Sequence, residues 1–360
     1  MSTSVVVETP GHKTEASKPK TGRRLPVQGQ QLALVVLIAL LAAGFVSRSP
    51  EFLSLSSIEN LLRSASMFGI VGLGMTVVII ATGSFGGIDL SVGSMMALGG
   101  AIGAGLLGTA FSAANPVKLP AVLAVLIALA VTAILGAVSG SLISRLKLAP
   151  FAVTLGMMSV ARGLTYLMIA WAIGSSNTAG VTFSDPLFDW FGLTNYGPVP
   201  AITVLFVVLA ALIAFVLKAT PFGRSLFVLG GNADNARLAG INVRRTIVMV
   251  FAISGLLAGL GGLILTGRLS SASPLAATGY ELEVIMVAVI GGTSLSGGRG
   301  SILGTVLAAI LVSEIDTGLD MMNVPSFNQY LIKGTILVLA VVLDKVYQAR
   351  SSRKLAAASA

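Results

Sequence analysis

The sequence predicts an all-α polytopic membrane protein of about ten transmembrane helices, each near the length that spans a bilayer. Three observations carry that prediction. Only 10% of the 360 residues are charged, whereas a soluble domain carries about 25%, and the mean hydropathy is +0.93. The apolar residues fall in blocks of about 20, enough to cross about 30 Å of hydrocarbon at about 1.5 Å per residue. Between two such blocks lies Gly86-Gly87-Ile88-Asp89-Leu90-Ser91-Val92-Gly93-Ser94, which holds the only acid between Glu59 and Asp185. A carboxylate and helix-breaking glycines beside lipid-length helices must be covered by protein or line a watery cavity. The run therefore points to a pathway rather than a passive anchor.

In chain order, residues 1–30 form a polar tail with Lys13, Lys18, Lys20, Arg23 and Arg24. This composition predicts disorder. The length of the tail, and the lack of an Ala-x-Ala site after the next apolar run, argue against a signal peptide. The apolar membrane body then covers 31–347, with spans at 32–46, 66–83, 92–110, 120–144, 150–173, 199–217, 246–266, 283–297, 300–317 and 328–346. Residues 348–360 form a second tail. The region 84–110 reads alternatively as a re-entrant pair, and a glycine-rich joint separates 283–297 from 300–317.

Charge orients these spans. With the amino terminus inside, the inner segments hold Arg145, Lys147, Lys218, Arg224, Arg237, Arg244, Arg245, Arg299, Lys345, Arg350, Arg353 and Lys354. Segments 174–198 and 318–327 fall outside and contain acids but no Lys or Arg, as the positive-inside rule requires. Both termini are then cytoplasmic. Arg48, Arg63, Lys118 and Arg268 fall on the wrong side, and all but Lys118 share a loop with acids.

Composition excludes several functions. Cys is absent and His12, in the tail, is the only histidine, so disulfides and a histidine-ligated metal within the membrane are excluded. No Gly-x-x-x-x-Gly-Lys-Ser/Thr loop exists to cradle phosphate. The formal charge of +9 sits in connecting segments and tails, which does not suit nucleic acid.

Small residues recur at four-residue spacing in Gly99/Gly103, Gly136/Gly140 and Gly255/Gly259. Such faces allow close helix approach, expected here within one subunit rather than at a dimer seam. Ala81-Thr82-Gly83-Ser84-Phe85-Gly86-Gly87 is weakly echoed by Gly291-Gly292-Thr293-Ser294-Leu295-Ser296-Gly297-Gly298. One glycine-interrupted span in each half is the expected mark of a pathway between repeats, although glycine-rich joints also resemble one another by chance.

The longest internal polar segment, 218–245, divides the apolar core into halves on the inner side. Asn232 to Leu238 predicts a short helix, ended by Gly240 with its tolerance for left-handed geometry. Spacing alone leaves it either a rigid knob for a partner or a loop that sets topology.

A resemblance separates these readings. Gly223-Arg224, Gly230-Gly231-Asn232, Ala236 and Ala239-Gly240-Ile241 resemble the cytoplasmic loop of permease subunits from ribose/xylose-type sugar ABC importers. Gly-Gly-Ile-Asp-Leu-Ser-Val-Gly-Ser resembles that family's signature after its second span. Ala277-Thr278-Gly279-Tyr280-Glu281-Leu282-Glu283, followed by Gly291 to Gly300, resembles a third motif. The similarity covers about residues 50–347, in order.

The resemblance implies a type II ABC-importer-like permease with pseudo-repeat halves in a bacterial inner membrane. It also implies a second permease copy (alike or unlike), an extracytoplasmic sugar-binding protein outside, and a cytoplasmic ATPase inside. Gly223, Arg224, Gly231, Asn232, Ala236, Arg237, Gly240 and Ile241 would form the coupling surface for that ATPase. The permease would need no cofactor and do no chemistry itself. The leading solute is a ribose- or xylose-like monosaccharide. Nucleosides, purine-like solutes or branched-chain amino acids are the nearest alternative. An ion-coupled secondary transporter wants a titratable relay, for which Asp89 and Arg162 are too few. A non-transporting scaffold would need no broken helices.

Further residues carry path or structural roles. Gly87, Asp89, Ser91 and Ser94 form the break, where Asp89 either caps backbone amides, the favoured reading, or lines the sugar path. Arg162, inside the fifth span, either faces the interior with an acidic or carbonyl partner or snorkels. Glu281 and Glu283 suit a helix amino terminus. Tyr166, Trp171 and Trp190 suit an outer aromatic belt. Leu295-Ser296-Gly297-Gly298-Arg299 mimics an ABC ATPase signature, but without a phosphate loop it reads as a tight joint between spans.

Overall fold

The computed structural model describes residues 27–107, 117–174 and 180–359. The basic tail as far as residue 26, residues 108–110 of the third expected span and residues 175–179 of an outer segment lie outside the described residues.

Each of the ten expected spans falls on a helix: α1 Val27–Arg48, α2 Leu55–Thr82, α3 Val92–Leu106, α4 Ala121–Leu146, α5 Pro150–Ile173, α7 Ala201–Ala219, α10 Val243–Leu269, α11 Tyr280–Ile290, α12 Ile302–Met321 and α13 Ser326–Ser359. Among the described residues, however, only 7 helices are long and apolar enough to cross a membrane. Helices α3 and α11 fall short, at 15 and 11 residues, and the apolar part of α13 is Ser326–Val342.

Helix α11 stops seven residues before the expected 297 because the chain turns left-handed at Gly292, Gly297 and Gly298. Loop hydrogen bonds then replace helical ones, such as Ser294 N to Arg299 O at 3.1 Å. Two tail boundaries also move. Helix α1 begins at Val27 rather than 31, and α13 continues as helix through the segment expected as a tail, where Lys354-Leu355-Ala356-Ala357-Ala358 favours helix.

The sequence reading lacks several smaller elements. Between α5 and α7 lie strand β1 Val181–Thr182, helix α6 Pro186–Gly192 and the hairpin β2 Asn195–Tyr196 with β3 Val199–Pro200. Strand β1 pairs antiparallel with β4, Ser271–Ala272, which follows α10. The polar segment between α7 and α10 forms α8 Pro221–Gly231, which that reading lacks, and α9 Ala233–Leu238, the short helix expected from Asn232 to Leu238.

Helix α2 is the axis of the bundle. Every residue from Ala65 to Thr82 is buried, against α10, α12, α11, α7 and α8. Lipid tails are as apolar as leucine, so close van der Waals packing rather than water exclusion holds such helices together. The glycines supply that closeness. A Cβ on Gly99 would stand 2.8 Å from Gly259, and one on Gly140 2.8 Å from the backbone of Val248. Gly136 and Gly255 face the backbones of Phe251 and Thr132 just as tightly. The four-residue glycine faces thus pack α3 and α4 onto α10 within one subunit. By contrast α4, α5 and α7 leave much apolar surface exposed, including Leu126, Leu167 and Phe215.

Candidate functional site

The break between α2 and α3 is built around Asp89, which is 1% exposed. Gly86 adopts φ 77°, and a Cβ on Gly87 would overlap the Thr82 side chain, so both positions require glycine. The turn brings Asp89 Oδ1 to the backbone N–H of Ser91 at 3.1 Å and to Ser91 Oγ at 2.6 Å. Ser254 Oγ, on α10, donates to Oδ2 at 2.7 Å. Thr154 of α5 donates to the Ile88 carbonyl at 3.2 Å. The carboxylate therefore accepts three bonds and stitches the break to a central helix. One of the three comes from a backbone amide within the break; the bond to Ser254 is visible only in the fold.

Helix α3 then starts against the segment before α11. A Cβ on Gly93 would overlap Glu281 Oε2 and stand 2.7 Å from the Ala277 carbonyl. Ser94 Oγ is buried there without a hydrogen-bond partner among the described residues. Arg162 donates to the carbonyls of Pro274 and Ala276, the latter at 3.1 Å. Its hydrogen-bond partners are thus carbonyls, with the Glu281 carboxylate as a neighbouring opposite charge. Gly87, Asp89, Ser91 and Ser94 thus lie in one short break, Gly93 within it packs against the Ala277 carbonyl, and Arg162 is tied to Pro274 and Ala276 of that same segment.

The polar segment is a pair of capped helices. Thr220 Oγ1 accepts from Gly223 N at 3.1 Å and starts α8, with Pro221 in the first helical position. Asn232 Oδ1 accepts from Asp234 N at 2.8 Å and Asn235 N at 3.0 Å, and starts α9. Gly240, at φ 77°, ends α9, and Ile241 N returns to Ala236 O at 3.0 Å. Gly223 and Ala236 are buried supports, whereas Arg224, Gly231, Asn232, Arg237 and Gly240 are exposed and Ile241 is half-buried. Arg237 pairs with Asp234 at 2.6 Å. The tip is Leu238, 87% exposed. The sequence reading passed over it because a leucine closing a short helix looks like core.

A buried charge cluster also escaped that reading. Lys333 of α13 meets Glu283 of α11 at 2.6 Å and Asp316 of α12 at 3.0 Å. The first-turn position of Glu283 suits the dipole of α11, but its partner is a cation on another helix. Two acids and one lysine inside three separate apolar helices were the available signal. Glu314 of α12 is also buried, and its Oε2 has no partner among the described residues.

Two of the four cations expected on the wrong side have structural partners. Arg63 donates to the carbonyls of Gly192 and Leu193, the latter at 2.7 Å. Arg268 donates to Ser64 Oγ at 3.0 Å. Of the aromatic residues, Tyr166 and Trp171 are exposed, while Trp190 donates to Tyr196 Oη at 2.8 Å.

Comparison with known proteins gives concordant results. The family model described as branched-chain amino acid transport system / permease component matches residues 57–341. The chain is 38% identical over 321 residues to the ribose import permease protein RbsC of Escherichia coli K12, covering 89% of this chain and 94% of that protein. It is 41% identical over 317 residues to RbsC of Bacillus subtilis, covering 87% and 89%. Against the galactose/methyl galactoside import permease protein MglC of E. coli K12 the identity is 35% over 326 residues, covering 88% and 94%. No solved structure matches the chain.

Proposed function

The chain belongs to the branched-chain amino acid transport system / permease component family, and on that premise we propose that it is the membrane-spanning permease of an ABC importer for a monosaccharide. It is a multi-pass inner-membrane protein and not an enzyme. The single observation that carries the solute class is its near full-length identity to ribose import permeases, supported by the galactose permease. The family model's description names branched-chain amino acids, which keeps another small polar solute as the second reading.

In this reading a cytoplasmic ATPase engages α8 and α9 through Arg224, Gly231, Asn232, Arg237 and Ile241, with Gly223, Ala236 and Gly240 fixing their shape. An extracytoplasmic binding protein delivers the sugar. A second permease copy completes the path across the faces that α4, α5 and α7 leave exposed, which otherwise meet lipid. Both termini lie in the cytoplasm. The short helices α3 and α11, one on either side of the polar segment, support pseudo-repeat halves. The break at Gly87, Asp89, Ser91 and Ser94, with Arg162, forms the path or its frame. ATP binding and hydrolysis rock the two permeases between outward- and inward-facing states.

Proteoliposomes holding the permease, its ATPase and its binding protein test this directly. ATP should drive uptake of ribose or a related sugar, and the permease alone should hydrolyse no ATP. Uptake that persists without the ATPase and follows an ion gradient overturns the assignment. Titration of the binding protein with sugars and amino acids decides the solute.

A further inference from the structure

Three segments meet backbone to backbone at the end of α2. The Gly298 N–H donates to the Ile80 carbonyl of α2 at 2.9 Å. A Cβ on Gly230, near the end of α8, would overlap that same carbonyl oxygen and lie 2.5 Å from Gly298 N. One on Gly297 would lie 2.6 Å from Gly230 O and 2.8 Å from Ser84 N. One on Gly83 would lie 2.5 Å from Gly297 N and 2.7 Å from Leu295 O. Gly297 and Gly298 hold left-handed φ values of 74° and 68°, which glycine adopts without strain. Four glycines thus join the last turn of α8, the start of the Asp89 break and the joint between α11 and α12.

We infer that this glycine junction is the rigid clamp through which displacement of α8 and α9 reaches both broken-helix joints. The inference rests on the proposed docking of an ATPase at α8 and α9. Contacts at such separations leave no side chain to yield, and close-packed interfaces switch as units rather than deform. The junction fixes α8 to α2 by main-chain packing. From α2, one strand of the linkage runs through Gly83 to Asp89 and α3. The other runs through Gly297 and Gly298 into α12. Gly230 and Gly298 are therefore positioning residues for transport, and neither needs to touch solute or nucleotide.

The test uses the reconstituted permease, ATPase and binding protein. Gly230→Ala is compared with Gly44→Ala, whose added Cβ would meet nothing within 4 Å on an exposed face of α1. Gly230→Ala should keep the ATPase bound and hydrolysing, yet lose the stimulation of hydrolysis by loaded binding protein. Its uptake should fall about tenfold or more, the scale of an ordinary coupling free energy. Gly44→Ala should transport normally. Because the chain has no cysteine, Ser84→Cys with Ser296→Cys gives a clean second arm. A short cross-link between them should leave uptake unchanged relative to the same protein uncross-linked, since a clamp moves whole. Normal uptake by Gly230→Ala overturns the inference, as does loss of uptake on cross-linking, which would mark a hinge. The cross-link arm decides alone if Gly230→Ala does not reach the membrane. An ATPase that binds equally to permeases altered at Asn232 and Arg237 refutes the docking reading instead, and separates the two failures.

Discussion

Asp89 has its two oxygens filled by three donors, and each charge-assisted bond of this kind contributes about 1.5–3 kcal/mol. Removing the carboxylate leaves Ser91 N–H and Ser254 Oγ unpartnered in a buried site. Asp89→Ala is therefore expected to cost about 2–4 kcal/mol and to depress uptake sharply, read in vesicles at matched protein level. Asp89→Asn separates structure from direct solute contact. The amide still accepts from Ser91 and donates to Ser254, so a capping residue keeps most uptake in the Asn variant. Equal loss in both variants assigns the charge itself to the path. The sequence displayed the acid and the glycines around it, and local spacing sufficed for the bond to Ser91. It held no record of Ser254, which lies 165 residues away. Likewise Arg162 was recognisable as a costly cation, whereas its partners, two backbone carbonyls, carry no residue identity to read.

At the scale of the element, α9 is only six residues long, too short to persist on propensity. It depends on its caps. Asn232→Ala should cost about 1 kcal/mol and fray α9, seen as faster amide exchange at Asp234 and Asn235. ATPase co-purification should fall with it. Leu238→Asp should leave α9 intact and still weaken that association, because it changes only the exposed tip. Helix α13 gives a different test. It packs mainly on α11, and Lys333 is its ionic tie to Glu283 and Asp316. Lys333→Met leaves two acids uncompensated in a buried site, a loss of about 3–5 kcal/mol. The expected readouts are a lower unfolding temperature in detergent and proteolysis at the turn between α12 and α13. Lys333→Arg should preserve both, and unchanged stability in the Met variant would dismiss the tie. The end of α9 at Gly240 was legible because it is local, whereas Asn232, read as part of the helix, is its N-cap. The Glu283–Lys333–Asp316 cluster was not legible, since it forms only when three distant helices align.

For the molecule as a whole, topology is the property on which the proposed mechanism stands. A single cysteine at Asn235, an exposed position of α9, should react with an impermeant maleimide only in inside-out vesicles. Labelling from the exterior would reverse the orientation and remove the ATPase from its proposed surface. The positive-inside pattern anticipates the first result, with Arg63 and Arg268 as two of its expected exceptions. Each donates to oxygens of neighbouring elements.

The sequence by itself determined an apolar, helical, membrane-spanning chain, with ten apolar segments in order, breaks at the glycines, and a capped polar segment between two halves. These are properties of composition, periodicity and local capping, which act over a few residues. Only the tertiary structure decided that α3 and α11 are short helices sheltered inside the bundle. It alone brought Asp89 to Ser254, Lys333 to two acids, and Gly230 to Ile80 and Gly298. The physical reason is that a backbone group or charge in an apolar interior is satisfied by whichever distant segment folds against it, and that choice is written in the packing of the whole chain.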